Sequence, residues 1–478
     1  MRRTIATLAA ACGLLAAAPA APAAHAASAL VITGRGFGHG VGMSQYGTLG
    51  YAKHGWTAPA ILAHYYTGTA LGRLATTPTV RVLLQSGRPS YTIRGAAQAG
   101  DRALDPAKTY VVTAGGAGAV IRAQGAHAAL TSAPPLSVSP PAGGAITLAG
   151  PAANGVSGGS YRGALEFRVG GNGVDGLMAI NALGLEDYVA GVISAEVPAS
   201  WPAEALKTQA IAARTYAITT NAGGAQGFTQ YADTRSQMYK GVSAETPATN
   251  AAVAATSGLV VTYQGRPVTT YFFSSSGGRT ENVENSFVGS RPQPWLKSVT
   301  DPYDGVSPSH RWGPISLSLA AASAKLGSLV DGTLKWITVT RRGVSPRVVQ
   351  ARLTGTGGTT TVTGPQLRRA LGLRDAWMRF RTFSSDLTTT TPATPVKPLA
   401  QAGGGAVAAG VRRPALQGHV RPARPGTWAA VQTLRAGRWT KVADVLLGAG
   451  GAYRVEVPGP GAYRLTYAGA AGPVVRAA

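Results

Sequence analysis

Five glycines occupy every second position from Gly34 to Gly42, and this run constrains the backbone more than any other stretch of the chain. In an extended strand, successive side chains point to opposite faces, so one face of such a strand would carry no side chains. Because glycine weakens a strand, the run predicts a close approach by a ligand or by another backbone segment. A flexible glycine-rich loop is the alternative. A phosphate-binding loop is disfavoured, because no Gly-Lys-Ser/Thr sequence follows.

The first 26 residues have the composition of a secretory signal peptide. Two arginines follow Met1, an apolar Ala/Leu stretch runs to about Pro19, and small residues lead to Ala26. The apolar stretch is shorter than a membrane anchor requires. The single cysteine, Cys12, lies in this segment, and Ala9 stands where a lipid-attachment site would have a branched residue. We therefore expect a secreted protein of the extracellular space or cell wall that uses neither disulfides nor thiol chemistry.

The chain is strongly basic, with a formal net charge of +25 and only 19 acidic residues. An exported protein of this charge is expected to meet a polyanion, such as an anionic wall polymer or a membrane surface. Nucleic acid is disfavoured as a partner, because the basic residues are scattered and the predicted export argues against it.

The order of elements predicts an α+β fold. A helix is expected near residues 57–66, small antiparallel β structure over 79–131, a loop over 133–160, and strands at 161–169 and 177–180. A short apolar strand is expected at 188–193. The helix that follows, over residues 202–219, places Leu206, Ala210, Ala213 and Ala217 on one stripe.

These elements suggest several units. A segment over 30–70 packs on a catalytic-type domain over 78–380, which consists of short helices on β structure. A Thr/Pro linker follows over 386–404, and a small all-β sandwich over 405–478.

Few residues are suited to catalysis. The histidines lack the spacing of a structural zinc site, and Ser274–Ser276 lack the turn of a nucleophilic serine and suit hydrogen bonding to a polar ligand better. Glu196 is the stronger candidate, because it follows an apolar segment, and partial burial raises a carboxyl pKa towards that of a general acid. A structural role, as a cap or in a salt bridge with Arg214, is the alternative.

Several long motifs together resemble the stage II sporulation protein D family, the SpoIID/LytB domain. They are the Gly34–Gly47 stretch, the Glu186–Pro198 segment, the Ala203–Tyr216 helix, the Phe272–Glu281 segment and His310-Arg311-Trp312. The resemblance covers about residues 30–380. It implies a lytic transglycosylase that acts on peptidoglycan glycan strands in sporulation or cell-wall remodelling. The alternative within the same family is a non-catalytic, peptidoglycan-binding modifier of a wall amidase.

The resemblance also implies roles for particular residues. Glu196 corresponds to the catalytic carboxylate, and a single carboxylate suffices when the sugar's own 6-hydroxyl closes a 1,6-anhydro ring. The residues expected to line the glycan groove are His39, Gln45, Gln209, Arg214, Gln237, Tyr239, Ser275 and Ser276. We expect no metal and no other cofactor, because Phe273 stands where metal-binding members commonly have His. Expected partners are glycan strands, anionic wall polymers and other wall lytic enzymes.

One departure from the family concerns chain order. In the family the Gly-His-Gly motif ordinarily follows the catalytic helix, whereas here it comes first. This permuted order requires the two ends of the domain to lie close together.

Overall fold

A computed structural model describes residues 27–115, 118–131, 134–170, 175–389 and 414–477. Its α-helices are Gln45–Lys53 (α1), Ala58–Tyr65 (α2), Leu185–Glu196 (α3), Ala203–Thr219 (α4), Pro247–Ala255 (α5), Val283–Ser286 (α6), Leu319–Leu326 (α7) and Gly364–Leu371 (α8). None of the helices within these ranges is long and apolar enough to cross a membrane.

Strands make up most of the fold. In the first part of the chain they are Ala27–Gly34 (β1), Met43–Ser44 (β2), Ala70–Arg73 (β3), Thr79–Arg88 (β4), Ser90–Arg94 (β5), Gln98–Ala99 (β6), Arg102–Ala103 (β7), Thr109–Gly115 (β8), Gly118–Ala123 (β9), Leu130–Thr131 (β10), Leu136–Ser139 (β11), Ile146–Pro151 (β12), Ser157–Tyr161 (β13), Ala164–Val169 (β14) and Leu177–Gly184 (β15). In the second part they are Gln230–Tyr231 (β16), Leu259–Tyr263 (β17), Arg266–Pro267 (β18), Phe272–Phe273 (β19), Trp312–Ser318 (β20), Leu334–Arg342 (β21), Val348–Gly355 (β22), Thr359–Thr363 (β23), Met378–Thr389 (β24), Pro414–Arg421 (β25), Trp428–Arg435 (β26), Arg438–Leu446 (β27), Ala452–Glu456 (β28), Gly461–Tyr467 (β29), Ala470–Ala471 (β30) and Val475–Ala477 (β31).

The largest hydrophobic core lies under two antiparallel sheets. One sheet has the order β10-β9-β8-β5-β12-β13, and the other has β16-β4-β15-β14-β11-β6-β7, with only β16 parallel to its neighbour. Their buried residues form one cluster with α3 and α4. A second core joins β1 and the β21-β22-β23 sheet to α7 and α8. The mixed elements confirm the predicted α+β class.

Helix α4 lies between two cores, which explains why it is so rich in alanine. Leu206, Ala210 and Ala213 belong to the main core. Ile211 and Ala212, on another face of the same helix, belong to a cluster that contains α1, α2 and β17. Small side chains let both neighbours approach the helix axis closely. The predicted helix and its apolar stripe are confirmed.

Two sequence predictions were wrong. Residues 188–193 are not a strand but part of α3, whose buried positions Leu185, Val189, Val192 and Ile193 have helical spacing. A short apolar run can indicate either element by periodicity alone. Residues 133–160 are not simply a loop, because they contain β11, β12 and most of β13. Each strand shows only a short alternation of buried residues, and turns that contain Pro and Gly separate the strands. The sequence of this region therefore has the composition of a loop.

The C-terminal strands share a sheet with the first strand of the described chain. The order β20-β1-β24-β25-β28 is continuous, and β26, β27, β29, β30 and β31 form the sheet that packs against its C-terminal part. Strand β24 continues to Thr389, so the first residues of the predicted linker are extended sheet. The rest of that linker, residues 390–404, and positions 405–413 of the predicted sandwich lie outside the described residues, as does the predicted signal peptide.

Candidate active site

Glu196 is the last residue of α3. The helix has Glu186 and Asp187 in its first turn, where the positive end of the helix dipole favours acidic side chains. It ends at Glu196 because Val197 precedes Pro198, and a residue before proline is disfavoured in the helical conformation. Val197 is extended, with φ −135° and ψ 148°. The local sequence therefore fixes the carboxylate at the C-terminal end of α3.

The Glu196 carboxylate accepts one hydrogen bond on each oxygen. The backbone N–H of Met238 donates to Oε1 at 2.7 Å, and the Gln45 side-chain Nε2 donates to Oε2 at 3.2 Å. Burial raises the pKa of Glu196, whereas these two hydrogen bonds act in the opposite direction. No Lys or Arg among the described residues forms a salt bridge with it. The group is thus an unpaired, half-buried acid held at both oxygens by neutral donors.

The segment that supplies the Met238 amide packs tightly on α3. A Cβ at Gly191 would come within 2.5 Å of the Tyr239 ring, so only glycine permits this approach. Tyr239 itself is buried and donates to Asn181 Oδ1 at 2.6 Å. Its ring lies 5.3 Å from that of Tyr188 in a stacked pair. Tyr239 therefore belongs to the hydrophobic core, and its packing fixes the position of the adjacent Met238 backbone.

Gln237 directly precedes Met238, whose backbone N–H contacts Glu196, but the Gln237 side chain has other partners. Its Nε2 donates to Tyr188 Oη and to the Ala213 carbonyl, both at 3.3 Å. The side chain is 1% exposed. Gln237 ties the Met238 segment to α3 and α4, and it is not on the surface where a glycan could reach it.

Gln45 reaches Glu196 from a distant part of the sequence. It is the first residue of α1, and Ser44 caps this helix by accepting from the Gly47 N–H at 3.1 Å. Strand β2, which ends at Ser44, pairs in parallel with β19. The Gly34–Gly47 segment and the Glu196 helix are thereby brought to one place, although 151 residues separate Gln45 from Glu196.

The glycine run is not the regular strand that its alternation predicts. Gly36, Gly38, Gly40 and Gly42 all have positive φ, between 73° and 130°, which ordinary residues rarely adopt. The prediction of close approach is confirmed, because a Cβ at Gly40 would lie 2.4 Å from Arg347 Nε and one at Gly42 would lie 2.2 Å from the Tyr271 carbonyl oxygen. The segment is held by backbone hydrogen bonds to residues 271–281 and 374–377. It is not a flexible loop.

A buried ion pair lies beneath this segment. Arg347 donates from Nε and Nη2 to the two Asp375 oxygens, at 2.8 and 2.9 Å, and neither side chain is more than 1% exposed. Arg347 also donates to the carbonyls of Ser276 and Arg279. One arginine thus joins the glycine segment to the serine-rich turn.

Ser275 and Ser276 are fully buried, so they do not line a groove as predicted. Ser275 Oγ donates to Asp304, and Ser276 Oγ donates to Asp301 Oδ2 at 2.7 Å. His310 Nδ1 lies 2.9 Å from Asp304 Oδ2. The hydroxyl groups that suggested a ligand site in the sequence are used within the protein. Among the described residues, no set of three or more His, Cys, Asp or Glu side chains could hold a metal ion.

His39 also has protein partners at both ring nitrogens. The Val41 N–H donates to Nδ1 at 3.1 Å, which leaves the proton on Nε2 to bond the Phe272 carbonyl at 3.0 Å. The ring packs among Tyr271, Phe273 and Phe287. Burial, with a further contribution from nearby arginine charge, lowers the pKa of His39 to about 3. A neutral His39 therefore orients the glycine segment.

Arg214 does not approach Glu196. It is fully buried and donates from Nε and Nη2 to the two carboxylate oxygens of Glu186, at 2.9 and 2.6 Å. The alternative salt bridge to Glu196 does not form in the described structure, and the buried side chain does not present a surface for glycan. Arg214 instead joins α4 to the start of α3.

Gln209 lies on the same face of α4 as Tyr216, two turns later in the helix. It is 1% exposed, and neither its amide nitrogen nor its oxygen has a hydrogen-bond partner in the described structure. Burial, Tyr271 and, to a smaller degree, the charge of Glu196 raise the pKa of Tyr216 to about 12. Gln209 is thus buried in the described structure, as the other predicted groove residues of α4 and the serine-rich turn are.

Two aromatic pairs involve residues next to Gln45, near Glu196 in sequence, or on α4. Tyr46 follows Gln45, and its ring centroid lies 5.3 Å from that of Trp201, five residues beyond Glu196. Tyr216 lies 6.0 Å from Tyr271 in an edge-on pair. The sequence analysis missed these residues as site candidates, although Tyr46 and Tyr216 lie within its motifs. It also missed Met238, whose contribution comes from a backbone N–H that no side-chain pattern reveals.

Residues 174–263 match the family described as SpoIID, Stage II sporulation protein. This span contains α3, α4, Glu196 and Met238. This part of the chain is therefore similar to the SpoIID family. Gln45 and the whole glycine segment lie outside the matched span, so part of the candidate site comes from a separate stretch of the chain.

Three curated relatives support this assignment. Stage II sporulation protein D of Bacillus subtilis (strain 168) is 33% identical over 229 residues, which are 45% of this chain and 65% of that protein. Stage II sporulation protein D of Bacillus amyloliquefaciens is 32% identical over 231 residues, or 45% and 64% of the two chains. The amidase enhancer of Bacillus subtilis (strain 168) is 38% identical over 150 residues, which are 31% of this chain and 20% of that protein.

The matched region therefore spans slightly less than two thirds of either sporulation protein. No solved structure matches the chain.

Proposed function

We propose that this protein is a lytic transglycosylase that cleaves peptidoglycan glycan strands, with Glu196 as its acid and base. The observation that carries the proposal is one unpaired carboxylate whose pKa is raised by burial and whose oxygens accept from Met238 and Gln45. The kinship with proteins named for sporulation and for amidase enhancement points to the cell wall as the place of action.

A single carboxylate is sufficient for this chemistry. Protonated Glu196 donates its proton to the glycosidic oxygen as the bond to the anomeric carbon of N-acetylmuramic acid breaks. The resulting carboxylate then accepts the proton of that sugar's 6-hydroxyl, while the hydroxyl oxygen bonds the anomeric carbon. The product is a 1,6-anhydro end, and Glu196 is protonated again. A hydrolase would use a second carboxylate to activate water or to form a covalent bond.

The two donors at Glu196 fit both halves of this cycle. They stabilise the carboxylate after it has given up its proton, and because they are neutral they lower its pKa less than a salt bridge would. The paired rings of Tyr46 and Trp201, which follow Gln45 and Glu196 closely in sequence, offer apolar faces that suit the C–H faces of sugar rings. The proposal therefore places the glycan along these rings, with the scissile bond at Glu196.

The test is digestion of purified glycan strands by the intact protein and by its Glu196→Gln form. We expect the intact protein to produce anhydro-muramic ends. The Glu196→Gln form should be at least a thousandfold slower, which corresponds to an increase of about 4 kcal/mol in the activation free energy. Glu456→Gln, which changes an exposed glutamate far along the chain, is the matched control and should retain full activity. Equal product from the wild type and Glu196→Gln would remove Glu196 from the mechanism.

A second candidate is a non-catalytic protein that binds peptidoglycan and modifies a wall amidase. The similarity to a protein named amidase enhancer favours it. If glycan strands bind with equal affinity to the wild type and to Glu196→Gln, yet neither yields anhydro ends, this second function is supported. Stimulation of a purified amidase by both forms would complete that case.

Export is part of the proposal. The signal peptide predicted over residues 1–26 would deliver the protein to the wall, where its substrate lies. N-terminal sequencing of protein recovered from culture medium or wall extract should find a mature chain that starts at Ala27. Recovery of intact Met1 from the cytoplasm alone would contradict export.

A further inference from the structure

An arginine-lined cavity of about 710 Å³ lies away from Glu196, where β21, β24 and β25 meet. Four arginines line it: Arg342 from β21, Arg379 and Arg381 from β24, and Arg421 from β25. Arg379 and Arg381 are two residues apart on one strand, so they project from the same face. The intervening Phe380 is buried in the second core. Sheet geometry therefore concentrates positive charge on this one cavity.

None of these four arginines has a carboxylate partner in the described structure. The stretches that the structure does not describe cannot supply one, because all 19 Asp and Glu residues of the sequence are within the described ranges. Elsewhere the fold neutralises its buried arginines, as the pairs Arg214–Glu186 and Arg347–Asp375 show. The cavity arginines differ in being accessible, since Arg342 and Arg379 are exposed and Arg381 and Arg421 are half-buried, so an incoming anion can reach their unpaired charges.

The charge of Arg379 acts on two of the other arginines. Burial lowers the pKa of Arg342, and the charge of Arg379 acts in the same direction. Burial also lowers the pKa of Arg381, again with a contribution from Arg379. Arginine nevertheless stays protonated at physiological pH. Like charges held together without a counter-charge are unfavourable, and a bound anion would relieve that cost.

The arginines are also held in place by the protein. Arg342 donates to the carbonyl oxygens of Pro346 and Met378. The Arg421 guanidinium lies 4.5 Å from the centroid of the Trp336 ring. Guanidinium groups fixed in this way bind planar or tetrahedral oxyanions through paired hydrogen bonds with little further loss of side-chain freedom.

We propose that the arginine-lined cavity binds an anionic wall polymer through its repeating phosphodiester groups. Several arginines around one volume suit a ligand with several charges better than a single small anion. A nucleic acid also carries phosphodiesters, but its single strands are held largely by stacking bases on aromatic faces. Here Arg421 already covers a face of Trp336. Binding to the polymer would anchor the protein in the wall independently of Glu196, so this inference does not depend on the proposed reaction.

The test measures binding of the full chain to a labelled, soluble polyglycerol phosphate over a series of salt concentrations. The variant Arg379→Gln/Arg381→Gln is compared with Arg435→Gln/Arg438→Gln, which removes the same two charges from exposed positions of the β26–β27 hairpin. We expect the cavity variant to bind at least about tenfold more weakly, with a salt-dependence slope smaller by roughly 1.5 to 2. The hairpin variant should change affinity less than about twofold. Thermal melting checks that both variants fold.

Three outcomes would overturn the inference. An equal loss for the two variants would show that net charge alone attracts the polymer. Equally tight binding of a polyglutamate of the same charge would show that phosphate is not selected. Tighter binding of a single-stranded oligonucleotide with the same number of phosphates, lost in the cavity variant, would identify a nucleic-acid site instead.

Discussion

Asp301 is a buried carboxyl group that supports the serine-rich turn, and replacing it with Asn tests how the turn is stabilised. Its Oδ2 accepts from Tyr65 Oη at 2.9 Å and from Ser276 Oγ at 2.7 Å, while Oδ1 has no partner in the described structure. Burial and the neighbouring charge of Asp304 raise the pKa of Asp301 from 3.8 to about 7. Asp301→Asn keeps the shape and removes the titration.

The sign of the effect follows from proton binding. Between pH 3.8 and about 7 the folded protein retains a proton on Asp301 that the unfolded chain releases, so the free energy of unfolding falls as pH rises through this window. The shift is about three pKa units, and at about 1.4 kcal/mol per unit it corresponds to roughly 4 kcal/mol. The Asn variant does not lose this contribution. Relative to the wild type, it should therefore gain up to about 4 kcal/mol between pH 4 and pH 7.

Urea unfolding followed by tryptophan fluorescence at a series of pH values measures this difference. Any constant cost of replacing the acid by an amide cancels, because only the change of the difference with pH matters. Asp101→Asn, at an exposed position, is the matched control and should differ from the wild type by the same amount at every pH within about 0.5 kcal/mol. A difference between Asp301→Asn and the wild type that stays constant from pH 4 to pH 7 would refute a raised pKa.

Two further predictions concern the site. Gln45→Ala removes a hydrogen bond that lowers the pKa of Glu196, so we expect this pKa to rise and the alkaline limb of the pH–activity profile to move to higher pH. Because the same hydrogen bond stabilises the carboxylate, its loss should also lower kcat about tenfold. An unchanged limb would show that the contact is absent in solution. Arg214→Met leaves Glu186 without its partner and should cost about 3–5 kcal/mol of stability, measured by urea unfolding, while glycan affinity of the folded protein stays the same. Weaker glycan binding with unchanged stability would instead show that Arg214 contacts the glycan.

The sequence predicts best where local signals and tertiary packing agree. Helix α2 has its proline in the first turn, and α4 has a clear apolar stripe, so both helices are found where expected. Helix α3 was missed because its apolar residues are nearly continuous. The glycine run was misinterpreted because alternation suits a strand, whereas positive φ values, which glycine also permits, cannot be recognised from spacing.

The candidate site was predicted in part for a similar reason. Glu196 and Gln45 are identifiable from motifs, and they do meet in space. Arg214, Ser275 and Ser276 lie in the same motifs, yet their polar groups serve other parts of the protein. A sequence motif does not distinguish a polar side chain that binds a ligand from one that is hydrogen-bonded within the protein. Both kinds of residue belong to the same motif, because both are required for the same fold.

The region that matches the SpoIID family does not contain the whole site. Residues 174–263 supply Glu196 and the Met238 amide, but Gln45 depends on the segment that precedes them by well over a hundred residues. Two contacts hold that segment in position. Strand β1 pairs with β24 from Ala27↔Ser385 to Gly34↔Met378, so the first described strand lies against one near the end of the domain. The Arg347–Asp375 pair then fixes the glycine run against the serine-rich turn. Because both contacts come from residues after 340, a chain that places its glycine motif first still closes the site around Glu196.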